Sequence, residues 1–182
     1  MKKIIFLTTA VLGFNLAANA QSSSGASQST ALSLSNAIAV TFTGSGSSNG
    51  GSVSVPFSSV ADFTNGITTS VQTLKVQSNK LFNLGVSVNA ANFTYSGTAS
   101  PAPVMPISGV LALQVTGNGA GGLLNSLFNA LSSTLSTAEQ TLVSLGSNGG
   151  NQTLSLQYKA TPGFAYPAGT YTANVVFTTT QP

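Results

Sequence analysis

Residues 152–180, QTLSLQYKATPGFAYPAGTYTANVVFTTT, hold the most regular pattern in the chain and decide its class. Leu154, Leu156 and Tyr158 alternate with Ser155 and Gln157, which puts the three apolar side chains on one face of an extended strand. Pro162-Gly163 marks a turn. Tyr171, Ala173, Val175 and Phe177 then alternate again and form the inward face of a closing strand. A helix would repeat its apolar positions every three or four residues. This stretch does not.

Working backwards, the same grammar recurs. Val110, Leu111, Leu113 and Val115 predict one strand, Phe93 with Tyr95 a shorter one, and Leu84, Val86 and Val88 another. Val71, Leu74 and Val76 precede them, after turns at Asn65-Gly66 and before one at Ser78-Asn79. Val53, Val55 and Phe57 continue the alternation. Leu32, Leu34, Ile38, Val40 and Phe42 all fall on even positions, as one strand or two with a break at Asn36. Residues 44–52 read as a Gly/Ser loop, and prolines 101, 103 and 106 as a loop or edge. Short alternating runs joined by Gly, Pro and Asn predict an all-β, antiparallel sandwich or barrel, 31–182, as a single domain. One segment departs. Leu124, Leu127, Phe128, Leu131 and Leu135 recur at helical spacing, which predicts one short helix over about 123–131, inserted before the last strands. Its polar side has no lysine, unlike membrane-surface helices, so it reads as a lid on the core.

The N-terminus predicts export. Lys2 and Lys3 precede a mostly apolar run of about 13 residues, shorter than the ~20 needed to span a bilayer, and Ala18-Asn19-Ala20 supplies small residues before a cut. Residues 1–20 are therefore expected to be a signal peptide and 21–30 a flexible Ser/Gly/Ala leader, with no transmembrane anchor in the mature chain. The expected address is the periplasm, the cell surface or the outside. Beyond residue 20 the only charges are Lys75, Lys80 and Lys159 against Asp62 and Glu139, a net charge of +1. Three dispersed lysines without arginine exclude nucleic-acid binding, which needs clustered cations on phosphates. Apolar residues make up 42% of the chain, too many for a disordered one. A neutral polar exterior weakens the repulsion between copies, which favours self-association or contact with other cell-surface proteins.

The chemistry is bounded by what is missing. The chain has no His, Cys, Trp or Arg, so the usual nucleophile–base pairs and transition-metal sites cannot be built, and no cofactor is expected. Asp62 and Glu139 lack any sign of a shared cleft for paired-carboxylate hydrolysis. No catalytic, cofactor or metal residue is nominated, and an enzyme is not expected. Two sets of residues remain. Leu32, Leu34, Ile38, Val40 and Phe42 can pair with another molecule's sheet edge, or form the first strand of their own sheet. Tyr95, Phe164 and Tyr166 are the aromatics available to face a ligand such as a glycan, or to pack at a rim.

Ala168-Gly169-Thr170-Tyr171, followed by Val175 and Phe177, resembles the closing strand of secreted bacterial immunoglobulin-like sandwiches, of the WxL-like and spore-coat-U-like pilin type. The similarity covers residues 152–181 best. It implies an immunoglobulin-like sandwich and a corner role for Tyr171, with its hydroxyl bonded to nearby backbone. It lacks the tryptophan of the WxL motif, so peptidoglycan binding is not carried over, and it lacks the cysteine pair of pilin-like relatives. The expected function is a non-catalytic surface protein, structural or adhesive, fimbrial-like. The alternative is a monomeric module that binds glycan or another cell-surface polymer.

Overall fold

Alternation makes a strand only where the chain also finds an edge to pair with, and most of the apolar runs do. The computed structural model describes residues 29–43, 51–130 and 133–182. In chain order the elements are β1 (Ile38–Thr43), α1 (Val60–Asn65), β2 (Ile67–Thr68), β3 (Gln72–Ser78), β4 (Phe82–Val88), β5 (Thr94–Ser96), β6 (Leu111–Asn118), β7 (Leu123–Leu124), β8 (Gln140–Gly146), β9 (Gly149–Ala160), β10 (Thr170–Thr172) and β11 (Val175–Thr180). The protein is all-β with antiparallel sheets. One sheet runs β1-β3-β9-β6, with β2 continuing the line of β3 along the same edge of β9. The other runs β11-β4-β8-β7, and β5 pairs with β10 apart from both. These elements belong to the unit Ser35–Pro182; residues 29–34 belong to a separate unit and contain no strand.

Both sheets point alternate side chains into one core. Leu74 and Val76 from β3, Leu113 and Val115 from β6, and Leu154, Leu156 and Tyr158 from β9 meet Phe82, Leu84, Val86 and Val88 from β4 and Leu142 and Val143 from β8. With no disulfide available, this apolar burial, worth about 25 cal/mol per Å² removed from water, carries the stability. Tyr158 lies in the core rim, and loss of water pushes its hydroxyl pKa well above the ordinary tyrosine range.

Four expectations need correction. The closing strand read through Tyr171, Ala173, Val175 and Phe177 is split: β10 pairs with β5 and β11 with β4, so Tyr171 leaves the face that Ala173, Val175 and Phe177 turn to the core. The helix expected over 123–131 is not formed by the described residues 123–130. Gly121 and Gly122 take positive φ of 66° and 69°, Leu123 and Leu124 pair with β8, and only a 3-10 turn, Ser126–Asn129, follows. Asn125 breaks the segment: its backbone N–H donates to Leu142 O at 2.8 Å, and its side chain caps the turn by accepting from Leu127 N at 3.1 Å. Phe128 and Leu135 are fully buried, whereas Leu127 is 66% exposed, so the helical spacing reflects two separate anchors (Leu131 lies outside the described residues). The α-helix is instead α1. Ser59 and Asp62 form a reciprocal capping box, and Asn65-Gly66, expected as a hairpin turn, is its C-terminus. Val53, Val55 and Phe57 form no strand; Phe57 packs on Phe63 of α1, ring centroids 5.3 Å apart. The expected signal peptide and most of the leader, with residues 44–50 of the Gly/Ser loop, lie outside the described residues.

Two outcomes check these assignments. Phe128→Ala is expected to cost about 3–5 kcal/mol in denaturant unfolding, and Leu127→Ala no more than about 0.5 kcal/mol, a contrast that a helix with both on its inward face would not give. The Asp62 carboxylate accepts backbone N–H bonds from Ser58 and Ser59, at 2.9 and 2.7 Å, which hold its pKa below the ordinary 3.8. A depressed carboxylate stabilises the fold above its unfolded pKa and loses that contribution as pH falls through the folded one. Thermal melts of wild type and Asp62→Asn should therefore differ at neutral pH and converge as pH drops below 3.8.

Candidate functional site

The two flanks of the core differ. On one side, β6 is covered: Leu113 N donates to Ser133 O at 3.0 Å, Leu135 N to Leu111 O at 3.3 Å, and Gln114 Nε2 to Asn129 O at 2.7 Å. On the other side lie β1, the end strand of one sheet, and β11, the end strand of the other. Phe42 and Phe177 join them edge-to-face across the gap, centroids 5.4 Å apart. Among the described residues no backbone group pairs with the outer edge of either strand. Their sequences, IAVTFT and VVFTTT, contain no charge, proline or glycine, and neither register shows a bulge. Among the described residues, the devices that normally blunt an exposed strand edge are absent.

β1 is held at its start by a polar latch. Asn79, in the link between β3 and β4, accepts from Ala37 N through Oδ1 at 3.0 Å and donates from Nδ2 to Ser35 O at 2.7 Å. Gln181, just past β11, donates from Nε2 to Ala37 O at 3.0 Å, to the buried Ser78 Oγ at 2.9 Å and to Asn79 Oδ1 at 3.2 Å. These amides tie the two sheets together where β1 begins. Neither side chain was recognisable as functional in the sequence: Asn79 reads as a turn residue, and no pattern singles out Gln181. Only their convergence across more than a hundred residues gives them a role.

Of the residues expected to exchange, Ile38, Val40 and Phe42 lie in β1, in register with Ser78, Val76 and Leu74 of β3. Val40 and Phe42 pack half-buried against the core, and Ile38 is more exposed. Leu32 and Leu34 stand outside the strand, 82% and 79% exposed; the break expected at Asn36 is where pairing starts to fail.

The aromatic candidates fall into two groups. Tyr95 of β5 pairs with Tyr171 of β10, rings 5.1 Å apart, and Tyr166 meets Tyr171 at 6.4 Å. Tyr95 Oη donates to Ala168 O and accepts from Ala99 N, both at 3.1 Å, and Gly97 and Gly169 leave no room for a Cβ against its ring. Tyr171 Oη donates to Pro167 O at 2.8 Å. Loss of water and then the neighbouring Tyr95 and Tyr166 raise the Tyr171 pKa above its ordinary 10. Phe164, 66% exposed, instead stacks on Phe63 at 5.5 Å. The structure thus separates Phe164 from the Tyr95–Tyr166 cluster by partner. Asp62 is engaged in the α1 cap, and Glu139 lies across Gly85 of β4. Among the described residues no three His, Cys, Asp or Glu gather to hold a metal, and no helix is long and apolar enough to cross a membrane. No protein-family model and no curated protein matches the chain.

The latch makes a local forecast. Asn79→Ala removes two hydrogen bonds to the start of β1 and the one accepted from Gln181, each worth a net ~0.5–1.5 kcal/mol, while leaving the core intact. Amide hydrogen exchange over Ile38–Thr43 should accelerate with β9 unchanged; uniform acceleration across both would mean that β1 opens only with the whole fold.

Proposed function

We propose that this chain is a non-catalytic, exported surface subunit, structural or adhesive, built on an immunoglobulin-like sandwich and associating through its open flank. The observation that carries the reading is the pair of uncharged strand edges, β1 and β11, unblunted among the described residues and side by side on one flank, whereas the outer edge of β6 is covered. The signal-peptide pattern of residues 1–20 supports export, and the near-neutral exterior removes the repulsion that keeps proteins apart. An incoming strand would find rows of N–H and C=O groups on either edge, so main-chain hydrogen bonds would supply affinity. Ile38, Val40 and Phe42 make β1 the segment best suited to be exchanged, because it buries no side chain fully and touches the rest of the sheet only through β3. A glycan module finds less support, since Phe164 alone presents a largely exposed ring.

Sedimentation velocity on the processed protein tests the reading. Wild type should associate with rising concentration, and deletion of residues 21–43 should leave a folded chain that has lost the larger species. Val176→Lys, which places a charge on β11 at a residue 43% exposed, should also shift the distribution toward monomer. A wild type that stays monomeric at every concentration, or a deletion that only unfolds, defeats the exchange reading.

A further inference from the structure

Four Asn-Gly pairs occur in the chain: Asn49-Gly50, Asn65-Gly66, Asn118-Gly119 and Asn148-Gly149. The dipeptide is chemically labile, because glycine has no Cβ to hinder attack by its own backbone nitrogen on the preceding side-chain amide. Folding decides which pair can react. Asn49-Gly50 lies outside the described residues. Asn65 ends α1, and the Gly66 N–H is engaged with Asp62 O at 2.8 Å. Asn118 is held at both ends of its amide, accepting from Ala120 N at 3.1 Å and donating to Gly121 O at 3.2 Å, while Gly119 N donates to Thr153 O at 2.8 Å. Asn148 is different. It is exposed in the two-residue link between β8 and β9, and its side-chain amide makes no hydrogen bond among the described residues.

A second observation points to the same pair. Gln152 Nε2 donates to the Asn148 carbonyl oxygen at 3.1 Å. That carbonyl is conjugated with the Gly149 nitrogen, and a donor on it draws electron density away and makes the Gly149 N–H easier to deprotonate. We infer that Asn148-Gly149 is a built-in modification site, where the chain converts its own asparagine to aspartate or isoaspartate, with Gln152 as a positioning residue. The Gly149 nitrogen, after losing its proton to solvent, attacks Asn148 Cγ; the C–N bond to the side-chain nitrogen breaks and ammonia leaves. Water then opens the resulting five-membered imide at either carbonyl. No oxidant or reductant is involved.

The product has consequences for this molecule. A carboxylate at position 148 is the third acid beyond residue 20, against three lysines, and takes the net charge of that part of the chain from +1 to zero. Asn148 also lines a groove of about 610 Å³ beside Ala37, Ile38 and Ala39, so the new charge arises next to the start of β1. In the isoaspartate form the extra backbone carbon lengthens the link that sets Gly149 opposite Ser78.

Peptide mapping of the full processed protein, incubated in mildly alkaline buffer and analysed for the one-dalton mass gain and for isoaspartate, tests the inference. Asn148 should convert at least about tenfold faster than Asn118, since every hydrogen bond that must open first slows the reaction. In denaturant the two rates should converge. Gln152→Leu should slow Asn148 severalfold while the Asn65 and Asn118 rates stay put, which also shows that the variant is folded. Equal rates at Asn118 and Asn148 in the folded protein overturn the site. An unchanged Asn148 rate in Gln152→Leu overturns the positioning role.

Discussion

Strand β9 has to be paired along both edges while every second side chain is buried, and the remainder of the fold is arranged around that requirement. Leu154, Leu156 and Tyr158 face the core, so the backbone between them is cut off from water and its polar groups need protein partners. β3 and β2 supply them on one edge and β6 on the other. The line from β2 to β3 is broken between residues 68 and 72, and at that break a side chain takes over. Thr69 Oγ1 accepts from Tyr158 N at 3.0 Å, Thr69 N donates to Tyr158 O at 2.9 Å, and Gln157 Nε2 donates to Thr69 O at 3.1 Å. An unsatisfied buried N–H costs about 1–3 kcal/mol. Thr69 removes that cost where the ladder itself cannot.

Around β9 the alternation was legible because burial on one face and pairing at the edge select the same residues. Leu74 and Val76, Leu84 through Val88, Leu113 and Val115 were all readable as strand faces for that reason. The misread stretches satisfy one condition without the other. Val53 to Phe57 alternates but finds no edge, and Phe57 spends its apolar surface on the Phe63 ring. Leu32 and Leu34 alternate yet lie beyond the latch that starts β1. Residues 123–135 carry two buried anchors, Phe128 and Leu135, seven positions apart, which mimics two helical turns although Phe128 sits in a 3-10 turn and Leu135 lies outside any helix. Period is a local property. Edge availability is set by the whole topology.

The same distinction explains why the site was only half legible. The strand β1 announces itself through Ile38, Val40 and Phe42, and Tyr171 through the Gly-Thr-Tyr turn that precedes its strand. The latch does not, because Asn79 and Gln181 meet only after β3 and β11 have been placed in different sheets. Amides suit this position: they donate and accept at once without a buried charge, so one side chain can hold both an N–H and a C=O of the incoming backbone.

Neutrality then links the fold to its behaviour at the flank. A chain with charged edges would be protected from pairing with its neighbours at little cost to its core. Here β1 and β11 end in threonines and carry no charge, and the nearest device of any strength is a set of uncharged amides that fastens one end of β1. Such a fastening is a few hydrogen bonds deep, whereas the core beneath it is held by several fully buried leucines and valines on each side. The ladder to β3 and the packing of Val40 and Phe42 add to that fastening, so the contrast in amide exchange between β1 and β9 reads how far the two stabilities separate. The proposed exchange of β1 requires that separation, with β1 opening while the body of the protein stays folded.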